Sequence, residues 1–170
     1  LEWHLRKADA HQTPFTSAVP LFRALAVAVE DIVAETMPAR IRRHRRQATA
    51  FRAGFSEMGL DLFANADDAT VLSNTVTAVS LPDPVAGDDA DAFFDGVAER
   101  NVSISGGQGH LGGTIFRVSN MGGLPDEAIL RGVRVVGEAM ADAGVDVDVT
   151  AGTAAVRSTL DIAETAPADD

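Results

Sequence analysis

The chain predicts a two-layer α/β fold in which a short antiparallel sheet is covered by helices. Three features predict it. Apolar residues recur at helical spacing over residues 21–35 and 38–59. Val- and Thr-containing runs at 71–81, 102–105 and 114–119 are bounded by Gly and Pro, as strands are. The glycine-rich turn joining the last two runs is short, so those strands should lie antiparallel.

The elements follow in order. Residues 1–20 are polar and turn-rich around Thr13-Pro14-Phe15-Thr16, and Pro14 biases Thr13 toward extended backbone, so this stretch reads as a loop. Leu21, Leu25, Ala28, Val29 and Ile32 then form one helical stripe up to about Glu35. Pro38 suits the first turn of a second helix, whose stripe of Ile41, His44, Ala48, Phe51, Phe55 and Met58 ends at Gly59. The strand at 71–81 is stopped by Pro82 and Pro84. Asp88 and Asp89 can cap a helix holding Phe93, Phe94 and Val97 and running to about Arg100. A short strand, Val102 to Ser105, precedes the glycine turn. Pro125, Asp126 and Glu127 open a last helix that buries Ile129, Val133, Val136 and Met140 and stops at Gly144. Residues 150–170 offer little to bury and are expected to form a disordered acidic tail. The expected plan is therefore an N-terminal segment at 1–20, a domain at 21–149 and the tail.

An apolar content of 46% over 170 residues is enough for one domain with its own core. No apolar run approaches the roughly 20 residues needed to cross a bilayer. Leu1 in place of an initiator methionine leads to the expectation of a cut N-terminus. With no cysteine, disulfide frameworks, thiolate metal sites and a thiol nucleophile from this stretch are excluded, and a cytoplasmic setting is expected.

The net charge of -11 is uneven. Residues 1–60 carry nine Lys/Arg against six Asp/Glu, whereas residues 61–170 carry five against nineteen. Lys7 is the only lysine, and Asp outnumbers Glu by seventeen to eight. An Asp-rich, Lys-poor surface suits a high-salt cytoplasm, where screening weakens self-repulsion while carboxylates stay hydrated. A halophilic source is expected; maximal stability and solubility at low salt would contradict it.

The segment Gly112 to Gly122 is the most informative, because Arg117 interrupts an apolar strand. Alternation puts Phe116 and Val118 on one face and Arg117 with Ile115 on the other. Burying a guanidinium without a partner is prohibitive, and its planar fork matches a carboxylate gripped by two parallel hydrogen bonds. Two partners fit: a surface Asp of the same chain, or the carboxylate of a ligand.

Other candidates compete with plainer readings. The five glycines of Ser105 to Gly113 could cradle a phosphate, but the loop leads into a strand rather than a helix N-terminus. A turn needing positive φ is favoured, with a wall beside a ligand pocket as the alternative, placing Gln108 or His110 near substrate. Arg40, Arg42, Arg43, Arg45 and Arg46 form a basic cluster, yet a pI near 4.6 and the lack of interleaved aromatics argue against nucleic acid. A solvated or salt-bridged helix face is expected. His4, His11, His44 and His110 lack metal-site spacing, so no metal is predicted, and His44 reads as a core or interface histidine. No nucleophile elbow is present.

In succession these segments resemble the C-terminal part of a class V aminotransferase, the pyridoxal-phosphate family containing alanine–glyoxylate and serine–pyruvate aminotransferases. The resemblance covers about residues 8–144 and rests on three blocks. They are His11-Gln12-Thr13-Pro14-Phe15-Thr16 before a helix; Arg43-His44-Arg45 with Ala48, Ala50 and Met58-Gly59-Leu60; and Gly106-Gly107 through Gly122. It implies the small domain of a fold-type I pyridoxal-phosphate enzyme, with residues 1–20 left over from the large cofactor domain. It implies that Arg117 binds the α-carboxylate of an amino-acid or 2-oxo-acid substrate. Thr13 and Thr16 fall in a segment that, in family homodimers, reaches the other subunit and helps hold the cofactor phosphate. Gln12 is the third candidate there, at a position where the family varies.

One departure matters more than these matches. Transamination needs a lysine that forms the Schiff base and shuttles the proton. In the family it lies well upstream of the Thr-Pro segment, whereas Lys7 precedes Thr13 by six residues. No catalytic residue is therefore expected here, and the chain alone is expected to be inactive. The missing loop cysteine lowers a desulfurase reading, and no residue clearly reads a substrate side chain. Two hypotheses remain: a fragment of a homodimeric aminotransferase, or a self-standing α/β interaction module that lost catalysis. Neither a nucleic-acid nor a membrane partner is expected.

Overall fold

The computed structural model describes residues 2–13, 15–64, 66 and 71–163. They form two compact units, residues 1–40 and 41–170. The division falls inside a helix rather than at residue 20.

The first unit holds α1 (Glu2–Asp9) and α2 (Val19–Glu35), and neither has a buried residue. The expected loop at 1–20 is thus partly helical. Leu5, Arg6, Lys7 and Ala8 are good helix formers, and the span lacks Gly, Pro and β-branched residues. Trp3 and Phe15 pack with ring centroids 5.5 Å apart. The chain then turns through Thr36, whose φ is +70° and whose N–H donates to the Ile32 carbonyl, and enters α3 (Met37–Glu57). Pro38 occupies its first turn, where a missing N–H costs nothing.

In the second unit, α3 buries His44, Gln47, Ala48, Ala50, Phe51, Gly54 and Phe55 along one stripe. The sheet is antiparallel with strand order β1-β3-β2, where β1 is Val76–Ser80, β2 is Ser105–Gly106 and β3 is Ile115–Ser119. The register sets Arg117 opposite Ala78 on one side and Ser105 on the other. Between β1 and β2 runs α4 (Ala90–Glu99), and β3 is followed by α5 (Asp126–Asp142). Phe116 links the layers, meeting Phe55 of α3 at 5.5 Å and Phe93 of α4 at 5.6 Å, both edge-on. Ile129, Val133, Val136 and Met140 of α5 are fully buried against the same core.

Two further expectations need correction. The strand at 102–105 is reduced to β2 at Ser105–Gly106, with Val102 and Ile104 packed against the core ahead of it. The expected tail contains α6 (Val149–Leu160), capped by Asp148, whose side chain accepts from the Ala151 N–H. It buries Gly152, Val156 and Leu160. A Cβ on Gly152 would lie 2.7 Å from the Gly54 carbonyl, so small residues let α6 reach the backbone of α3. Residues 164–170, the rest of the expected tail, lie outside the described residues.

Candidate functional site

Arg117 sits at the middle of the central strand. Phe116 and Val118 point into the core, while Arg117 on the opposite face is half-buried. Its Nε–H donates to the Gly106 carbonyl at 2.9 Å. Among the described residues no carboxylate pairs with it within 4.0 Å. Of the two partners that the sequence allowed, no surface Asp among the described residues stands there, and the terminal nitrogens keep their capacity to grip an acid.

The glycine loop before β3 is folded on itself. Gly107 N–H donates to the Ile115 carbonyl at 3.0 Å, Gly112 N–H to Gly109, and Thr114 N–H to Leu111. With these donors turned inward, the loop is not built as a phosphate cradle. Gly113, at φ +68°, is pressed against Gly87, where an added Cβ would meet backbone atoms at 2.9 Å. Gln108 and His110 are both exposed.

The segment after β3 is pinned by α3. Asn120 is fully buried, and its Nδ2 donates to the carbonyls of His44 at 3.0 Å and Asn74 at 3.1 Å. Arg43 donates to the Gly122 carbonyl, and Gln47, also fully buried, donates to Leu124 O and Asp126 Oδ1, each at 2.9 Å. Arg46 pairs with Asp126 as well. Two of the five arginines of the basic cluster, Arg43 and Arg46, thus clamp the segment leaving the Arg117 strand. Arg40, in the first unit, pairs with Glu35 at 3.0 Å. Next along the helix, Arg52 donates to the Ser73 carbonyl, and burial holds its guanidinium below the ordinary arginine value. Asn120, Gln47 and Asp126 were missed by sequence reasoning. Gln47 lay one step off the apolar stripe, which was the available signal.

The other predicted site residues belong to the first unit. Gln12, Thr13 and Thr16 are all exposed. Lys7 Nζ donates to Gln12 Oε1 at 3.0 Å, and the two line a shallow cleft with Trp3, Arg6 and Ala10. Thr13 Oγ1 donates to the Phe15 carbonyl at 2.6 Å and accepts from Ser17 Oγ at 3.3 Å. No such bond engages Thr16 among the described residues. Arg6, Lys7 and Gln12 are the polar groups of that cleft, and neither Thr13 nor Thr16 lines it. Of the histidines, His4, His11 and His110 are exposed, and His44 is buried beside Asn120. Among the described residues no helix is long and apolar enough to cross a membrane.

No family model matches the chain. An uncharacterized aminotransferase of Methanocaldococcus jannaschii is 36% identical over 141 residues, covering 82% of the chain and 35% of that protein. Pyridoxamine–pyruvate transaminase of Mesorhizobium japonicum is 34% identical over 164 residues, covering 95% and 40%. The crystal structure of pyridoxamine-pyruvate aminotransferase from Mesorhizobium loti superposes with a TM-score of 0.79 at 31% identity, over 87% of the chain and 37% of that structure. The fold is that of fold-type I aminotransferases. Within them, the chain's homologues are the class V aminotransferases, and it spans about a third of the length of the relatives it matches.

Proposed function

We propose that the chain is the C-terminal part of a homodimeric, pyridoxal-phosphate-dependent aminotransferase, one that moves an amino group between a small amino acid and a 2-oxo acid. The alanine or serine with glyoxylate or pyruvate type fits best. The single observation that carries this reading is Arg117, half-buried mid-strand, oriented by a backbone carbonyl and with no carboxylate of the described residues beside it. A bidentate grip on a substrate carboxylate would hold the α-carbon in one orientation. The coenzyme, when bound, would supply an electron sink for bonds at that carbon.

Thr16 is the favoured hydroxyl for the cofactor phosphate, since Thr13 already gives its proton to Phe15 O. Thr13 and Gln12 would complete that edge of the site. Lys7, the only lysine, is paired to Gln12, and the Schiff-base lysine belongs to an upstream part of the polypeptide. On this reading residues 1–170 alone are inactive.

The test is Arg117→Lys in the complete polypeptide. Lysine keeps the charge but loses the fork, so KM for amino acid and 2-oxo acid should rise and kcat/KM should fall by about tenfold or more. Unchanged values would remove Arg117 from the site.

A further inference from the structure

Arg117 is aimed by one acceptor, the Gly106 carbonyl that takes its Nε–H at 2.9 Å. That carbonyl is itself held from three directions. On the ladder side, the Gly107 N–H donates to Ile115 O at 3.0 Å. On the helix side, a Cβ added to Gly106 would stand 3.3 Å from Phe94 Cζ. Beyond it, a Cβ on Gly107 would meet the Leu111 carbonyl oxygen at 1.9 Å and its carbon at 2.4 Å. Gly107 is thus required for space, not for a left-handed φ. Leu111 cannot easily give way, because its N–H donates to Gln108 O and its carbonyl accepts from Thr114 N–H, both at 3.1 Å.

Taking Arg117 as the carboxylate anchor, we propose that Gly107 is a positioning residue for that site. Its missing side chain lets Leu111 close onto the loop, which fixes the Gly106 carbonyl and so the plane of the Arg117 guanidinium. A methyl group at 107 must push the backbone aside. The carbonyl then leaves its place and the fork loses its single orientation, although the charge remains.

The experiment uses the complete, cofactor-loaded enzyme. Gly107→Ala should raise KM for the 2-oxo acid by about tenfold, leave kcat at saturation within about twofold, and leave the coenzyme absorbance unchanged. Propionate, a bare carboxylate, serves as a second probe, and its inhibition constant should rise in the same proportion. The double variant Gly107→Ala, Arg117→Lys should be no worse in KM than Arg117→Lys alone, since the glycine acts only through the guanidinium. Gly144→Ala, at φ +84° with open space around it, is the stability control and should leave KM unchanged. If Gly107→Ala does not fold, Gly106→Ala should raise KM by about two- to fivefold, because the Phe94 ring needs to give only a few tenths of an ångström.

Additive effects in the double variant, or a KM unmoved by the glycine variants while Arg117→Lys raises it, would overturn the positioning role and leave the anchor standing. A KM unmoved by Arg117→Lys would overturn both.

Discussion

The two regions that carry the predicted site residues are built very differently. Arg117 stands on a strand whose underside, Phe116 and Val118, is locked into the core, and whose exit is held by its own Asn120 bonded to α3 and by Gln47 of α3 bonded to Leu124 O and Asp126. Gln12, Thr13 and Thr16 lie exposed; among the described residues Gln12 and Thr13 are engaged by neighbours within five residues and Thr16 by none. On the proposed reading, a carboxylate anchor has to be aimed, because a planar fork works in one plane, and the Gly106 carbonyl supplies that aim. Hydroxyls completing a phosphate site would, on the same reading, need only to be presented.

That contrast can be broken or sharpened by substitution. The largest effect is expected from Arg117→Ala in the complete enzyme: kcat/KM should fall by about a hundredfold or more, about 3 kcal/mol, with cofactor affinity unchanged. A comparable loss of cofactor binding would merge the two regions into one site. Next comes Asn120→Ala, which removes the donor to the carbonyls of buried His44 and half-buried Asn74 and should cost about 2 kcal/mol in urea unfolding of the 170-residue chain. Stability within about 0.5 kcal/mol of the parent would show that the exit of β3 is not clamped.

Asp126→Ala should cost about 1 kcal/mol by the same measurement, since Arg46 is half exposed and Gln47 keeps its bond to Leu124 O. The smallest effect is expected at Thr16→Val, which should weaken cofactor binding by several-fold, about 1 kcal/mol, with KM for the 2-oxo acid unmoved. Thr13→Val should do less, because its proton is already given to Phe15 O. Reversal of that order would reassign the phosphate hydroxyl.

Much of this was legible in the sequence, and the exceptions have physical causes. Alternation alone put Arg117 opposite Phe116, and helical spacing located α2, α3 and α5, because large apolar residues at fixed intervals leave few other solutions. The clamp was not legible: Gln47 and Asn120 are polar residues in fully buried places, and their partners lie 46 to 79 residues away. α6 was missed because its contact uses the absence of side chains. Gly152 and Gly54 bring two backbones together, which a search for bulky apolar residues cannot register. α1 was missed because it buries nothing and leaves no periodic stripe to read.

The last apolar stripe legible in the sequence ends near Gly144, yet trimming the protein there would be a mistake. Met58 lies under α6, its Cε positioned 2.8 Å from where a Cβ of Gly152 would be, and its carbonyl accepts from the Asp148 N–H at 3.1 Å. Removing residues 145–170 would unroof the base of α3, wetting the Met58 side chain and the backbone at Gly54 that Val156 and Gly152 now cover. What remained would stick to its own copies rather than stay dispersed, so any dissection of this polypeptide has to keep that last short rod in place.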